Sequence, residues 1–178
     1  QFAPSVRATL GDAFGTLSGT NVEKRIIAGL KMMGANYVLD TNFSADVVIM
    51  EEGTELLNRV KDKHSVMPMF TSCCPGWVRF VKTQYPDYVK NLSTAKSPQQ
   101  MFGAMAKTFI AQKLGIDADK IFSVSIMPCL SKKYEHNVDQ VDDAGHGKDV
   151  DLVLTTRELD RLIRADNIQP DDLKEESF

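Results

Sequence analysis

Two adjacent thiols, Cys73 and Cys74, close an apolar run (Met67 to Phe70) in the stretch Phe70-Thr71-Ser72-Cys73-Cys74-Pro75-Gly76-Trp77. The proline that follows suits the first turn of a helix, where its missing N–H is not needed. Thiols at that position face unpaired N–H groups and the positive end of the helix dipole, which favour thiolate over thiol. A strand, a cysteine loop and a helix start together describe a site for a soft metal or for redox chemistry. A pair of buried free cysteines accounts for the same two residues equally well. The third cysteine, Cys129, follows another apolar run in Ile126-Met127-Pro128-Cys129-Leu130-Ser131-Lys132-Lys133-Tyr134-Glu135. A lone cysteine after a strand is ordinarily packing, but the lysines behind it would stabilise an anionic ligand or cofactor. Lys133 by itself reads as part of a solvated face. Glu52, Glu55 and Arg59 are three and four residues apart, which places them on one face of a helix. That is the spacing of a surface salt-bridge ladder. It is also the spacing of a proton path, in which a buried carboxylate with a raised pKa takes up and releases a proton near neutral pH. His64, His136 and His146 fall in polar loops and read as solvated residues.

The elements that must position these groups follow from capping residues and periodicity. Pro4 to Phe14 reads as a short helix. Thr20-x-x-Glu23 is a capping box for a helix carrying Ile26, Ile27, Leu30 and Met33, with Gly34 as its stop. Tyr37 to Asp40 is a short strand, and Asp46 to Lys61 a helix, although Val47 to Met50 alone could equally be a strand. Met67 to Phe70 reads as a buried strand and Pro75 to Tyr85 as the helix after the thiol pair. Ser97-Pro98-Gln99-Gln100 combines an N-cap, an N1 proline and a capping-box glutamine. It opens a helix with Met101, Met105 and Phe109 on one stripe, which stops near Gly115. Ile121 to Ile126 and Val150 to Leu154 are further strands, and Thr155-x-x-Glu158 caps a last helix bearing Leu159, Leu162 and Ile163. From Asp166 onward the chain is polar and acidic and ends without a packing element. Strands alternating with helices predict an α/β layered fold with a largely parallel sheet and helices on both faces. Sites in such folds gather at the carboxyl ends of strands, where both cysteine loops fall. Trp77 reads as a core anchor beside the site.

A chain of 178 residues is long enough for one sizeable core and too short for two full domains. A net charge of −3 argues against a nucleic-acid partner. There is no apolar run of membrane-spanning length and no signal-peptide pattern. Cytoplasmic location is therefore the default, with a periplasmic one open to a protein exported on another subunit's signal. The first residue, Gln1 rather than Met, points to a piece of a longer or processed product. Three cysteines cannot all pair, which favours a reducing compartment or metal ligation over a disulfide framework.

Thr71-Ser72-Cys73-Cys74-Pro75-Gly76-Trp77 together with Met127-Pro128-Cys129-x-x-Lys132-Lys133-x-Glu135 resembles the first two signature motifs of the iron-only (FeFe) hydrogenases. The resemblance extends in order to Ala3-Pro4-Ser5-Val6-Arg7, Ile49-Met50-Glu51-Glu52, Ser97-Pro98-Gln99-Gln100 and Thr155-Thr156-Arg157-Glu158-Leu159, nearly the whole chain. It implies reversible interconversion of protons and electrons with dihydrogen. The implied cofactor is the H-cluster: a 4Fe-4S cubane held by four cysteines and bridged to a di-iron centre with CO, cyanide and azadithiolate ligands. Cys74 and Cys129 are implied as two cubane ligands, and Cys73 as the thiol that passes protons to the azadithiolate amine. Lys132, Ala3, Pro4 and Ser5 would hold the cyanides, Gln99 would lie near a CO, and Met127 would pack against the di-iron centre. A lysine with backbone or hydroxyl donors is the chemistry an anionic cyanide needs. The resemblance also implies a relay from Cys73 through Glu52, Ser93 and Glu55 to Arg59 at the surface.

The family's third motif, which supplies two further cubane cysteines, has no counterpart in these 178 residues, nor do the accessory ferredoxin-like cysteine clusters. The expectation is one half of an H-cluster domain, residues 1–178, completed by a second chain or segment that brings two cysteines and covers a large apolar face. Its electron partner would be a ferredoxin or a redox subunit. A non-catalytic iron–sulfur relative, acting in cluster assembly or hydrogen sensing, shares the fold. Assembly relatives generally lack a cysteine at the position of Cys73, and sensing relatives alter the relay, so Cys73, Glu52, Glu55 and Ser93 together favour turnover.

Overall fold

Short parallel pairings, rather than long strands, join the elements of this chain. The computed structural model describes residues 1–178 throughout. Strand β1 (Val124–Met127) pairs in parallel with β2 (Leu152–Thr155), register Val124 to Leu152 and Met127 to Thr155. Phe2 lies along β1 through a parallel bridge to Ile126 and bridges Asp40 as well. Tyr37–Asp40 and Met67–Phe70 do not become strands. Only Asp40 and Phe70 pair at all, Phe70 with Leu92, because Tyr37 and Met67 face solvent and Pro68 lacks the donor a ladder needs. The class is the expected one, parallel strands with helices, but the sheet is smaller.

Around this strip stand α1 (Val6–Ala13), α2 (Glu23–Met32) and α8 (Thr156–Ala165). One apolar cluster joins Phe2, Val6, Leu10, Ile26, Ile27, Ile126, Val153, Leu159 and Ile163, each almost fully buried. The start of α8 is the expected capping box: Thr155 Oγ1 accepts from the Glu158 N–H, and Glu158 Oε2 accepts from the Thr155 N–H at 2.7 Å. The start of α2 is not. Arg7 takes the Glu23 carboxylate at 2.6 Å, so Glu23 cannot reach back, and Asn21 Oδ1 accepts from the Glu23 N–H instead. The acidic tail packs after all. Ile168 and Leu173 are buried, and Phe178 stacks on Phe2 with the ring centroids 5.4 Å apart.

Helix α3 (Thr41–Lys61) starts earlier than its periodicity suggests, because the Asp40 side chain accepts from the Asn42 N–H. Val47 to Met50 is thereby helical. After α4 (Pro75–Gln84), α5 (Pro98–Met105) begins at the Ser97 cap, passes through a π-turn (Ala106–Ile110) and ends with α6 (Ala111–Leu114) at Gly115, whose φ of 65° only glycine adopts readily. The buried face of α5 is Gln99, Gln100, Phe102 and Gly103, continued by Ala106, rather than the Met101–Met105–Phe109 stripe; Phe109 is exposed. Serine and carboxylate partners make burial of Gln99 favourable, and the π-turn changes the register beyond it. Helix α7 (Ser131–Glu135) carries the second cysteine loop from β1 toward β2. No helix is long and apolar enough to cross a membrane.

Candidate functional site

Cys74 occupies the N-cap of α4 with Pro75 at its first turn, and Cys129 lies two residues beyond the end of β1. Cys73, Cys74 and Cys129 are all free and exposed, which removes the reading of a buried cysteine pair. The two loops close on one another. A Cβ built on Gly76 would lie 3.7 Å from Cys74 Sγ and 3.9 Å from Ser131 Cβ, and Ser131 Oγ sits 3.1 Å from Cys129 Sγ. Gly76 therefore sits beside both Cys74 Sγ and Ser131, and Ser131 in turn meets the Cys129 thiol. Lys132 crosses the gap between the loops, its Nζ donating to the Cys73 carbonyl at 2.8 Å.

Lys132 is held from behind by a carboxylate. Glu135 Oε2, buried, accepts from Lys132 Nζ at 3.0 Å, Ser97 Oγ at 2.9 Å and Gln99 Nε2 at 3.2 Å. Gln99 also donates to the Lys132 carbonyl at 3.1 Å and accepts from Ser125 Oγ at 2.9 Å, so its amide is fully engaged by protein groups. The Ala3 N–H bonds to the Ile126 carbonyl at 3.0 Å, which seats Ala3 beside the end of β1. Pro4 and Ser5 then emerge into solvent, whereas Met127 is buried in the core cluster. Ala3, Gln99, Met127 and Lys132 are thus gathered at the carboxyl end of one strand, where open parallel sheets place their sites.

A polar path leads from the Cys73 loop to the surface. The Ser72 N–H points at Glu52 Oε1 at 3.4 Å, and Ser72 Oγ donates to the Ala95 carbonyl at 3.0 Å. The Ala95 N–H in turn donates to Ser93 Oγ at 3.1 Å. Ser93 Oγ donates to Glu55 Oε2 at 2.8 Å, and Glu55 Oε1 meets Arg59 Nη2 at 2.5 Å. Arg59 is anchored to the Leu92 carbonyl at 2.9 Å. Glu52 and Ser93 share no direct hydrogen bond; they stand on either side of Ser72. The expected raised pKa on this path is not found at Glu55. Burial pushes its carboxyl up, but hydrogen bonds from Ser93, Thr94 and Arg59 and the Arg59 charge outweigh burial and hold it below the usual carboxylate value.

Ser72, which bonds to Ala95 and faces Glu52, and Glu135, which holds Lys132, stand in the two cysteine motifs with no role read for them, and Thr94 stands outside the motifs. The signature glutamate was the one available signal for Glu135; serine and threonine are too common for theirs to register. Trp77 is 38 % exposed, packs between Phe70 and Phe80, and donates to the Thr71 carbonyl at 3.1 Å, so it braces the loop from outside and is no core anchor. Lys133 is half-buried and paired with Glu158 at 2.6 Å, which ties α7 to the start of α8. His146 pairs with Asp119 in solvent, and His136 has a buried Nδ1 without a partner. No three His, Cys, Asp or Glu side chains converge as a complete metal site. Two free thiols on facing loops are half of what a four-thiolate set needs, and the donors at Lys132 suit an anionic group beside them.

The family model for the C-terminal domain of the iron-only hydrogenase large subunit matches residues 1–178. The NADP-reducing hydrogenase subunit HndD of Solidesulfovibrio fructosivorans is 49 % identical over 183 residues, covering 100 % of this chain and 31 % of its own length. The cytosolic iron-sulfur assembly component 3 of Bos taurus is 34 % identical over 177 residues, covering 97 % and 37 %. An FeFe-hydrogenase from Chlamydomonas reinhardtii superposes with a TM-score of 0.93 at 39 % identity, covering 100 % of this chain and 44 % of that one. The chain thus spans about a third of these curated relatives and less than half of the matched structure.

Proposed function

Because the chain belongs to the family formed by the C-terminal domains of iron-only hydrogenase large subunits, we propose that it is the part of a hydrogenase catalytic domain that holds one side of the H-cluster and carries protons to it. The observation that carries this reading is the hydrogen-bonded run from Arg59 through Glu55 to Ser93, which reaches Ser72 of the Cys73 loop through the Ala95 backbone, with Glu52 set against the Ser72 N–H. When bound, the di-iron centre supplies the metal at which dihydrogen is made or split. Cys74 and Cys129 would ligate the linked 4Fe-4S cubane, and two further cysteines would come from a second chain or segment. Lys132, steadied by Glu135 and by the Cys73 carbonyl, would place its ammonium beside the anionic cyanides, with Ala3, Pro4 and Ser5 at the other rim. Cys73 would exchange protons with the azadithiolate amine and draw on the relay behind it. An electron carrier such as a ferredoxin would dock on the completed domain.

The assembly relative at 34 % identity has the same fold family, so fold does not separate turnover from cluster handling. What favours turnover is the thiol at Cys73 beside an acidic, hydroxyl-lined path, which cluster binding alone has no use for. The test uses the complete protein with all its segments. Cys74→Ala or Cys129→Ala should lose iron and the paramagnetic signal of the cubane. Cys73→Ala should keep both and lose turnover. Full hydrogen evolution in Cys73→Ala removes the relay reading, and an absence of infrared bands for CO and cyanide in the native material favours the assembly class.

A further inference from the structure

Arg59 ends the path in space but cannot be its mouth. A guanidinium stays protonated throughout the working pH range and offers five donors and no acceptor, so it neither yields a proton nor takes one up. The donors on both its Nη atoms are also committed: Nη2 to Glu55 Oε1 and the Leu92 carbonyl, and Nη1 toward the Val66 and Asn91 carbonyls at 3.4 and 3.5 Å. Only 14 % of its side chain is exposed.

The other oxygen of the same carboxylate has a partner that can do what Arg59 cannot. Glu55 Oε2 accepts from the buried Ser93 hydroxyl at 2.8 Å, from the Thr94 N–H at 3.0 Å, and from Thr94 Oγ1 at 3.3 Å. Thr94 is exposed. One carboxylate oxygen therefore touches a hydroxyl that faces inward and a hydroxyl that faces water. A hydroxyl both donates and accepts. We propose that Thr94 Oγ1 is the solvent-side entry of this proton path, and that Arg59 is a positioning residue that fixes Glu55 for it. On inward transfer Thr94 Oγ1 releases its own proton to Glu55 Oε2 and takes one from bulk water, so the hydroxyl is restored and one proton has moved inward. The reverse sequence carries a proton out when dihydrogen is split. The charged group that faces Glu55 is Arg59 on its own helix; the 91–95 segment packed against it contributes the neutral Ser93 and Thr94.

This inference rests on the relay proposed above, and the experiment separates the two. In the complete, iron-loaded protein, Thr94→Val keeps the shape and the backbone N–H bond and removes only the hydroxyl. Turnover should fall roughly tenfold, a modest share of what a positioned proton-transfer group supplies, with a steeper loss toward high pH, where hydronium is scarce. Thr94→Ser should restore it. Independently of turnover, the infrared carboxyl band of Glu55, assigned by its loss in Glu55→Gln, should titrate at higher pH in Thr94→Val, because a hydrogen bond to the charged form is gone. Thr94→Ser should return the band to its native midpoint. Native turnover, pH profile and band midpoint in Thr94→Val would overturn the proposal and mean that water reaches Glu55 directly. If Glu55→Gln stops turnover while Thr94→Val does not slow it, only the Thr94 entry fails. If Glu55→Gln turns over normally, the relay and the entry both fail.

Discussion

Replacing Glu135 by glutamine should loosen the cysteine site while leaving every side-chain volume in place. The wild-type carboxylate takes three hydrogen bonds on one buried oxygen, from Lys132, Ser97 and Gln99. Glutamine keeps one acceptor oxygen but loses the charge. Lys132 Nζ, in a side chain only 13 % exposed, then has neutral oxygens alone as partners, the Cys73 carbonyl among them. Removing one member of a well-buried ion pair costs about 3–5 kcal/mol, and the partial exposure of Lys132 places this pair at the lower end. The Ser97 and Gln99 bonds revert from charged to neutral acceptors, which adds roughly 0.5 kcal/mol each. The expected loss is therefore about 3–4 kcal/mol. With a urea slope of about 2 kcal/mol/M, the unfolding midpoint should fall by roughly 1.5–2 M at unchanged slope. A double-mutant cycle with Lys132→Met should return a coupling of about 1.5–3 kcal/mol. A midpoint shift below about 0.5 M, or additive single variants, would refute the idea that Glu135 is what holds Lys132 at the Cys73 loop.

Two further outcomes follow from particular contacts. The Lys133 ammonium, followed by the Thr155 N–H, lowers the Glu158 carboxyl from the ordinary 4.5 to about 2. A depressed carboxylate pKa stabilises the fold above about pH 4.5, and that contribution fades as the pH falls toward 2. Glu158→Gln should therefore melt below wild type at pH 7 by only about 0.5 kcal/mol, since the pair is a third exposed and screened. Thermal melts should show the gap closing through that acid window; a gap that persists unchanged at low pH contradicts the linkage. Gly103→Ala would set a Cβ 2.5 Å from the Asp149 carbonyl oxygen and 2.7 Å from its carbon, both backbone atoms that cannot swing aside. Despite the better helix propensity of alanine, it should lose about 2–3 kcal/mol by urea titration, and a neutral result would mean that α5 can stand off from the Asp149 segment.

The parts of the structure legible in the sequence were those whose signal is local. Ser97 and Thr155 declare their helices because cap and carboxylate lie within one turn. Gly115 declares a stop because its φ of 65° is a local demand. The placement of Cys129 after a parallel strand followed from the same kind of reading, whereas the strand expected before Cys73 and Cys74 reduces to a single bridge at Phe70. Where a partner comes from far along the chain, pattern fails. Thr20 and Glu23 spell a capping box, yet Arg7, sixteen positions earlier, removes the glutamate from it. The methionine stripe of α5 spells a core face, yet Gln99 and Gln100 are the buried residues, since Ser125 and Glu135 satisfy Gln99. Glu52, Glu55 and Arg59 have the spacing of a surface ladder. Only the 91–95 segment laid over Glu55 joins them to Ser93 and the Cys73 side, and nothing near them in sequence announces it.

The two cysteine loops belong to regions of unequal internal support. Cys129 follows β1, whose Ile126 and Met127 sit in the apolar cluster shared with α1, α2 and α8. Cys73 and Cys74 precede α4, which buries Pro75 and Val81 but turns Trp77 and Phe80 to solvent, while α3 turns out Ile49, Met50, Leu57 and Val60. Apolar packing thus fixes one loop far better than the other, and their mutual distance falls to polar ties such as that of Lys132 to the Cys73 carbonyl. Such ties are directional and fix spacing without needing a large contact area, which suits a site whose ligands must be held at the length of a metal cluster. On the proposed function, the exposed faces of α3 and α4 are where the remainder of the catalytic domain packs. Cover there would bury the aromatic surface beside Cys73, shield the relay from lateral water, and leave Thr94 as its contact with solvent.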